Sequence, residues 1–504
     1  MVKKYLLTTR LPLVAFVCAF VCAFLAGCAV GPDFRSPEAP TVKGYTPEPL
    51  PSETVSAPGT GGAAQRFVSD RDIPDQWWTL FRSEALDALI RKALTDSPTI
   101  AAAEARLREA EENLRARGGT VFFPSVDGSL SANRQKSTGA SYGQPSAEAN
   151  TFTLFNASVN VSYTLDIFGG NRRELEALRA QVDYQRFQLE AAHLALTSNI
   201  VTSAVMEASL RAQVQATQEI VEMLRKQLGL VSAKFELGGA SRPDVLEQRT
   251  LLAQTLATLP PLEKELARTR HQLAVYAGSF PGEGGLPEFR LESLELPVDV
   301  PVSVPSSLVR QRPDIRASEE LLHAACARVG VATANLYPKI TLTGSLGSNA
   351  VRIEDLFTSG SSVWSLGAGL LQPLFRGGEL SAKRRAAIAA HDQALAQYRE
   401  TVLNSFRDVA DTLRALDLDA QTLRAQADAE ASARETLSSV ESQFRIGSVN
   451  YLSLLVAQRQ YQVARTNLIR ARAVRFADTA ALFQALGGGW WNRGTAGNRE
   501  DSDG

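Results

Sequence analysis

Residues 379–445 read ELSAKRRAAIAAHDQALAQYRETVLNSFRDVADTLRALDLDAQTLRAQADAEASARETLSSVESQFR, 67 residues without a proline or a glycine. Good helix formers dominate the stretch, so it predicts one helix of about 100 Å at 1.5 Å rise per residue. A globular domain cannot bury a helix of that length. At a spacing of seven, Ile388, Leu395, Val402, Val409, Leu416, Leu423, Glu430, Leu437 and Phe444 are apolar in eight cases of nine. A stripe of period 3.6 drifts by about 20° per heptad, so a seam kept this long implies left-handed supercoiled packing.

Residues 171–235 are a second such stretch, 65 residues with no proline and only Gly229. Leu175, Val182, Leu189, Leu196, Ser203, Leu210, Thr217, Leu224 and Val231 are apolar in seven cases of nine. The two stretches belong to a repeat. Phe123-Pro124 answers Tyr337-Pro338, Phe168-Gly169-Gly170 answers Phe375-Arg376-Gly377-Gly378, and Phe235 with Gly238 answers Phe444 with Gly447, at offsets of 214, 207 to 208, and 209. Each half therefore carries helix, strand, strand, long helix, helix. The shorter helices are expected over 97–117 and 243–278, repeated over 313–336 and 450–486, which gives two coiled-coil units per chain.

Between the helices the period changes to two. Ala157, Val159, Val161, Tyr163 and Leu165 alternate with Ser158, Asn160, Ser162, Thr164 and Asp166. Ile340, Leu342 and Leu346 alternate with Thr341, Thr343, Ser345 and Gly347, and Val126, Leu130 and Ala132 with Asp127, Ser129, Ser131 and Asn133. Trp364, Leu366, Ala368 and Leu370 form a weaker fourth strand. Such strands suit a membrane β-barrel, but the smallest barrels need about eight, so subunits must pool their strands.

The amino-terminal end explains why strands would meet a membrane. Lys3, Lys4 and Arg10 precede an apolar run over 11–25, as in a secretory signal. Leu25-Ala26-Gly27-Cys28 follows and resembles a bacterial lipobox, with Cys28 as the acylated first residue and Ala29 matching outer-membrane sorting. Without residues 1–27, 50 Lys plus Arg face 54 Asp plus Glu, and Cys326 is the only free thiol left. No basic surplus supports nucleic-acid binding. The expected division is a signal peptide 1–27, an acylated Pro-rich linker 28–75, a first repeat 76–280, a Pro-rich connector 281–305, a second repeat 306–487 and a flexible tail 488–504.

No catalytic, metal or cofactor constellation appears. His193, His271, His323 and His391 are scattered, the glycine clusters 59–62 and 487–489 lack the lysine and helix of a phosphate loop, and Cys326 reads as a small buried residue.

Taken together, the chain resembles the TolC-like outer-membrane factors, in the lipid-anchored, OprM-like branch that serves tripartite efflux pumps. The resemblance rests on Cys28-Ala29-Val30-Gly31-Pro32-Asp33-Phe34, on Trp77-Trp78-Thr79-Leu80-Phe81 before Leu86-Asp87-Ala88-Leu89-Ile90, on Arg312-Pro313-Asp314-Ile315 and on Phe406-Arg407-Asp408-Val409-Ala410-Asp411. It implies a mainly α chain with a membrane β portion, forming a homotrimer whose 12-stranded barrel continues into a periplasmic helical tunnel. The implied partners are a periplasmic adaptor, an inner-membrane RND transporter and outer-membrane lipid. The resemblance also places a gate at the helix-turn-helix tips 235–244 and 444–453. Gly238, Gly239 and Gly447 fall in the adaptor-docking turns; Arg242, Asp244, Phe444, Arg445, Val456 and Arg459 fall in the gate. Phe444 stands where tyrosine is common and Val456 where aspartate is usual, so the expectation is an apolar gate with an Asp244 latch to Arg445 or Arg459. Two other readings compete: the exit duct of a type I protein secretion system, and a lipid-anchored coiled-coil tether without a pore.

Overall fold

The computed structural model describes residues 29–69, 71–138 and 148–493. Along them run β1 (Arg66–Ser69), a 3-10 turn at Trp77–Phe81, α1 (Glu84–Asp96), α2 (Pro98–Phe122), β2 (Ser125–Ser137), β3 (Asn150–Leu165), α3 (Gly170–Glu236) and α4 (Arg242–Tyr276). After these come β4 (Asp299–Val302), α5 (Pro305–Gln311), α6 (Pro313–Ala334), β5 (Lys339–Ala350), β6 (Ser362–Leu371), α7 (Glu379–Arg445) and α8 (Tyr451–Ala485). The repeat is visible in the lengths: α3 and α7 each have 67 residues, and α4 and α8 each have 35.

The period-seven seams are buried as the spacing requires. Along α7, Val402, Val409, Leu416, Leu423, Glu430 and Leu437 are all buried, and along α3 seven of the nine heptad positions are. Glu430, the one charge in its seam, is held by Arg434 at 2.6 Å. Glu207 of α3 is fully buried and receives Arg211 at 2.5 Å, Arg270 at 2.9 Å and the backbone N–H of Phe289 at 2.9 Å. Glu207 and Glu430 are therefore each compensated by arginine, without which burial would be costly. Pro260 and Pro261 lie inside α4, within the helix that the sequence places over 243–278. Both are exposed, and the carbonyls that lose an N–H partner, Leu256 and Ala257, are not buried, so water can serve them.

Two compact units draw on both halves of the chain. One holds the chain up to Pro37, Leu107–Gln185 and Ser318–Tyr398, and contains an antiparallel sheet in the order β2-β3-β5-β6. The other holds the remaining residues, with the parallel pair β1–β4 and a core built on Ile73, Trp77, Phe81, Phe289, Phe476 and Phe483. Within this second unit α1 begins at Ser83, whose side chain accepts from Leu86 N, and buries Leu86, Leu89, Ile90 and Ala93 on one face.

Two expectations need correction. The Pro-rich segment 28–75 is extended over its described part but is not a free linker, because it is strapped down along its length. Tyr45 donates to the Ser303 carbonyl at 2.9 Å, Glu48 pairs with Arg414 at 2.5 Å, and Thr54 accepts from buried Arg475 at 2.8 Å. Residues 488–493, expected as the start of a flexible tail, also pack. Trp490 Nε1 donates to the Gln311 carbonyl at 2.6 Å, Trp491 Nε1 to Asp72 at 2.9 Å, and Arg493 pairs with Asp75 and Glu190. Tryptophan brings a large apolar face and one donor, and both are used here. Residues 494–504 lie outside the described residues, as do 1–28.

Truncating Leu416 to alanine should destabilise the protein by about 2–5 kcal/mol, and Leu416→Met by less than about 1.5 kcal/mol, in denaturant unfolding in detergent. A pH effect is expected from α8 as well. Burial, with Asp419 beside it, pushes the Asp478 carboxyl up to about 7, against about 3.9 in an unfolded chain. Between about pH 4 and 7 the native state holds a proton that the unfolded chain has lost, so this group makes stability fall as pH rises through that window. Asp478→Asn should flatten the fall, read as the unfolding midpoint from pH 4.5 to 8.

Candidate functional site

The four-stranded sheet has two chemically distinct faces. The register aligns Gly128, Val159, Leu346 and Trp364 in one row and Val126, Val161, Gly344 and Leu366 in the next. Adjoining rows on the same face carry Tyr163, Leu342 and Ala368, then Leu165, Ile340 and Leu370. Leu130, Leu346, Trp364, Leu366 and Leu370 are 63–81 % exposed, which for side chains of this size calls for lipid or a partner. On the opposite face stand Ser129, Ser158, Asn160, Ser162, Thr343 and Ser345, tied by Ser129–Ser158 at 2.9 Å, Asn156–Asn349 at 2.6 Å and Thr164–Thr341 at 3.3 Å. The apolar rows run from Leu165 to Phe155 along β3. Eleven residues at about 3.3 Å, tilted by about 45°, give an apolar band of roughly 25 Å, the height of a membrane barrel's outer face.

The corner between β3 and α3 is fixed by Asp166, whose carboxylate accepts from Asn171 N at 3.0 Å and Arg172 N at 2.9 Å. Phe168 stacks on Tyr337 with centroids 4.7 Å apart. The described amino terminus docks at this corner. Val30 N donates to the Phe168 carbonyl at 3.1 Å, Asp33 pairs with Arg173 at 2.5 Å, and Phe34 stacks on His323 at 4.3 Å, with Glu176 and Glu320 at the two ring nitrogens. Gly31 passes so close to α6 that an added Cβ would lie 2.5 Å from Gly330 Cα. Cys326 is buried there, 3.7 Å from the Pro32 carbonyl, and burial pushes its thiol up. Cys28 lies outside the described residues, one position before Ala29.

The two helix tips share one design. Gly239 N donates to the Lys234 carbonyl and Gly238 N to that of Phe235; Ser448 N donates to that of Gln443 and Gly447 N to that of Phe444. Gly238 and Gly447 have φ of 77° and 79°, the left-handed conformation that ends a helix in this pattern. Each next helix is then capped. Ser241 and Asp244 form a reciprocal capping box, and Asn450 accepts from Ser453 N at 3.0 Å.

Within one chain Asp244 Oδ2 accepts from the Ser241 backbone N–H and hydroxyl, and no ion pair joins Asp244 to Arg445 or Arg459 among the described residues. Arg459 instead donates to Gln254 at 3.4 Å. Arg242, Arg445 and Val456 are exposed, and Phe444 is half-buried. Sequence reasoning missed the groups that join the two tips. Lys234 Nζ sits 4.3 Å above the Phe444 ring, Tyr451 meets that ring edge-on at 6.0 Å, and the Tyr451 hydroxyl donates to buried Gln248. Burial pushes the Tyr451 phenol up. Two positions flag Tyr451 in the sequence, since it directly follows a capping asparagine and lies seven residues after Phe444.

Because one capping box holds both groups, Ser241→Ala and Asp244→Ala should each loosen the first turn of α4 by about 1 kcal/mol, and the double variant by little more, in hydrogen exchange.

The outer membrane efflux protein family model matches residues 89–279 and again 304–488. The chain is 32 % identical over 455 residues to the pyoverdine export outer membrane protein OpmQ of Pseudomonas aeruginosa, covering 89 % of this chain and 94 % of that one. It is 27 % identical over 470 residues to the cation efflux system protein CusC of Escherichia coli, covering 92 % and 96 %. Among solved structures it is similar to the outer-membrane channel OprN, with a TM-score of 0.82 and 27 % identity over 92 % of this chain and all of that one. VceC from Vibrio cholerae follows with a TM-score of 0.74 and 25 % identity, over 83 % of this chain and all of that one. With one model fitting both halves and a two-faced sheet at the head of two 67-residue helices, the chain belongs to the outer membrane efflux protein family, the TolC-like channels of efflux pumps.

Proposed function

We propose that this outer-membrane efflux channel works as a homotrimeric, passive exit duct, anchored by an acylated Cys28 and docked at its periplasmic tips to an adaptor that joins it to an RND-type inner-membrane transporter. The observation that carries the reading is the sheet: apolar on one face, hydroxyl and amide on the other, and only four strands wide. One chain cannot enclose a pore with it, and three can. The docked strap supports the anchor, because Ala29 lies against Gly169 at the corner next to the apolar band. The tip turns at Gly238, Gly239 and Gly447 are exposed and offer the adaptor a repeated shape, and Arg242, Asp244, Phe444, Arg445, Val456 and Arg459 surround them as the gate.

Cargo choice is assigned to the transporter. Relatives between 27 and 32 % identical over nearly the whole chain are named for pyoverdine export, toluene efflux and cation efflux. A duct that encoded its cargo would not diverge so evenly across such different solutes.

Deleting the gene should raise accumulation of a fluorescent efflux dye several-fold, and the intact chain should restore the wild-type level. Unchanged accumulation in the deletion strain would remove the efflux reading. Cys28→Ala should abolish incorporation of labelled palmitate, and labelling that persists would remove the anchor.

A further inference from the structure

A further cavity lies away from the sheet, the anchor corner and the tips. It opens among α3, α7, α8 and the connector, and its volume is about 870 Å³. Five arginines line it: Arg211, Arg290, Arg434, Arg465 and Arg472. Small-molecule sites run from about 300 to 1,000 Å³ and are mostly apolar. This cavity has the size but a mainly polar wall, so what it takes must be polar as well.

Three of the arginines are answered by acids. Arg211 meets Glu207 at 2.5 Å and Glu288 at 3.1 Å, Arg434 meets Glu430 at 2.6 Å, and Arg465 meets Glu219 and the Tyr461 hydroxyl. Arg290 and Arg472 make no hydrogen bond or ion pair with their side chains among the described residues, and Arg472 Nε is buried without a partner. Main chain confines Arg472 on one side, since a Cβ added to Gly59 would stand 2.6 Å from its Nη2. Burial, with Arg434 adding to it, holds the Arg472 guanidinium below the ordinary arginine range, although Glu292 and Glu430 pull the other way. Glu430 is engaged by Arg434, and Glu292 makes no ion pair among the described residues. The unpaired groups of the wall are therefore two cations and one carboxylate.

A guanidinium offers five N–H donors and no acceptor. Five such groups make the wall rich in donors, while Glu288 and Glu430 already accept from arginines. The matching ligand is negatively charged and presents acceptors only.

We propose that this cavity binds a small polyvalent oxyanion, a polycarboxylate or a phosphoryl compound, between the guanidinium forks of Arg472 and Arg290, with Arg434 and Arg465 beside them. Such forks match carboxylate and phosphate oxygens two at a time. Arg290 belongs to the connector, Arg434 to α7 and Arg465 and Arg472 to α8, so the bound anion ties three elements of one compact unit together. Glu292 offsets part of the positive charge of the empty cavity and opposes the anion that enters it.

The test uses the full-length channel in detergent, with citrate and inorganic phosphate as probes and chloride at matched ionic strength as the control, read by titration calorimetry. A probe should bind saturably. Arg472→Gln should weaken that binding at least ten-fold and Arg290→Gln several-fold, whereas Glu292→Gln should tighten it several-fold. The last variant separates the site from a damaged fold, because a damaged fold does not bind more tightly. Tighter citrate assigns the cavity to polycarboxylates, and tighter phosphate to phosphoryl compounds. No saturable binding of either probe above the chloride control, or an affinity that neither Arg472→Gln nor Glu292→Gln changes, would overturn the site.

Discussion

A backbone N–H or C=O in hydrocarbon has no water to turn to, so every strand that enters a membrane must have a partner on each side. In this chain the constraint bears on β2 and β6, whose outer edges no other described element covers. Much of the architecture can be read as a consequence. The sheet alternates over most of its rows, because its two faces meet different solvents. The hairpins meet in the middle, because a repeated unit that pairs with its own duplicate can also pair with a third and fourth duplicate on another chain. The corner at Asp166 turns the strand at once into a helix, whose backbone satisfies itself, as soon as the apolar band ends.

Below the strands the requirement changes from hydrogen bonding to packing. Helices of 67 residues stay together only if their contact line does not wander, which is what the seven-residue spacing provides. Glu430 breaks the apolar rule within the seam, and Glu207 sits fully buried in α3; both are paired with arginines. Glu207 also accepts from Phe289 N, so it ties the connector to α3 as well as filling space. Replacing such a group with a leucine would keep the packing and lose that tie.

How legible each part was depends on whether its cause is periodic. The two long helices, the four strands and the tip glycines follow from spacing, and α7 begins and ends where the sequence placed it, at Glu379 and Arg445. Features that depend on contacts distant in sequence were not visible. Proline content correctly excluded helix from 31–58 but said nothing of the Tyr45, Glu48 and Thr54 contacts that hold the strap down. Three glycines before Trp490 suggested a free tail, yet the tryptophans find Gln311 and Asp72, about 180 and 420 residues away. Asp244 was the subtlest case. Ser241 three positions before it is a capping-box pattern, legible in the sequence, and the structure forms that box.

The cap bears on how a tip of this kind would open. An acid engaged in its own helix cap stabilises the turn whatever the neighbouring chains do, so it resists deformation of the tip. In the proposed gate, closure would draw on exposed side chains, among them Arg445, Val456 and Arg459. Exposed ion pairs contribute about 0.2–1 kcal/mol each, and an exposed valine adds a comparable apolar term. Three copies of a few such contacts sum to an energy that a docking protein can supply by burying one modest surface. The division of labour follows: the caps keep each turn rigid, the Lys234–Phe444 contact and the Tyr451–Gln248 bond tie the two hairpins of one chain to each other, and in the proposed gate the weak exposed groups would decide where the tips of neighbouring chains sit. Tips tied together within a chain and weakly held between chains would move as bodies, and the proposed gate could then open without unfolding any of its parts.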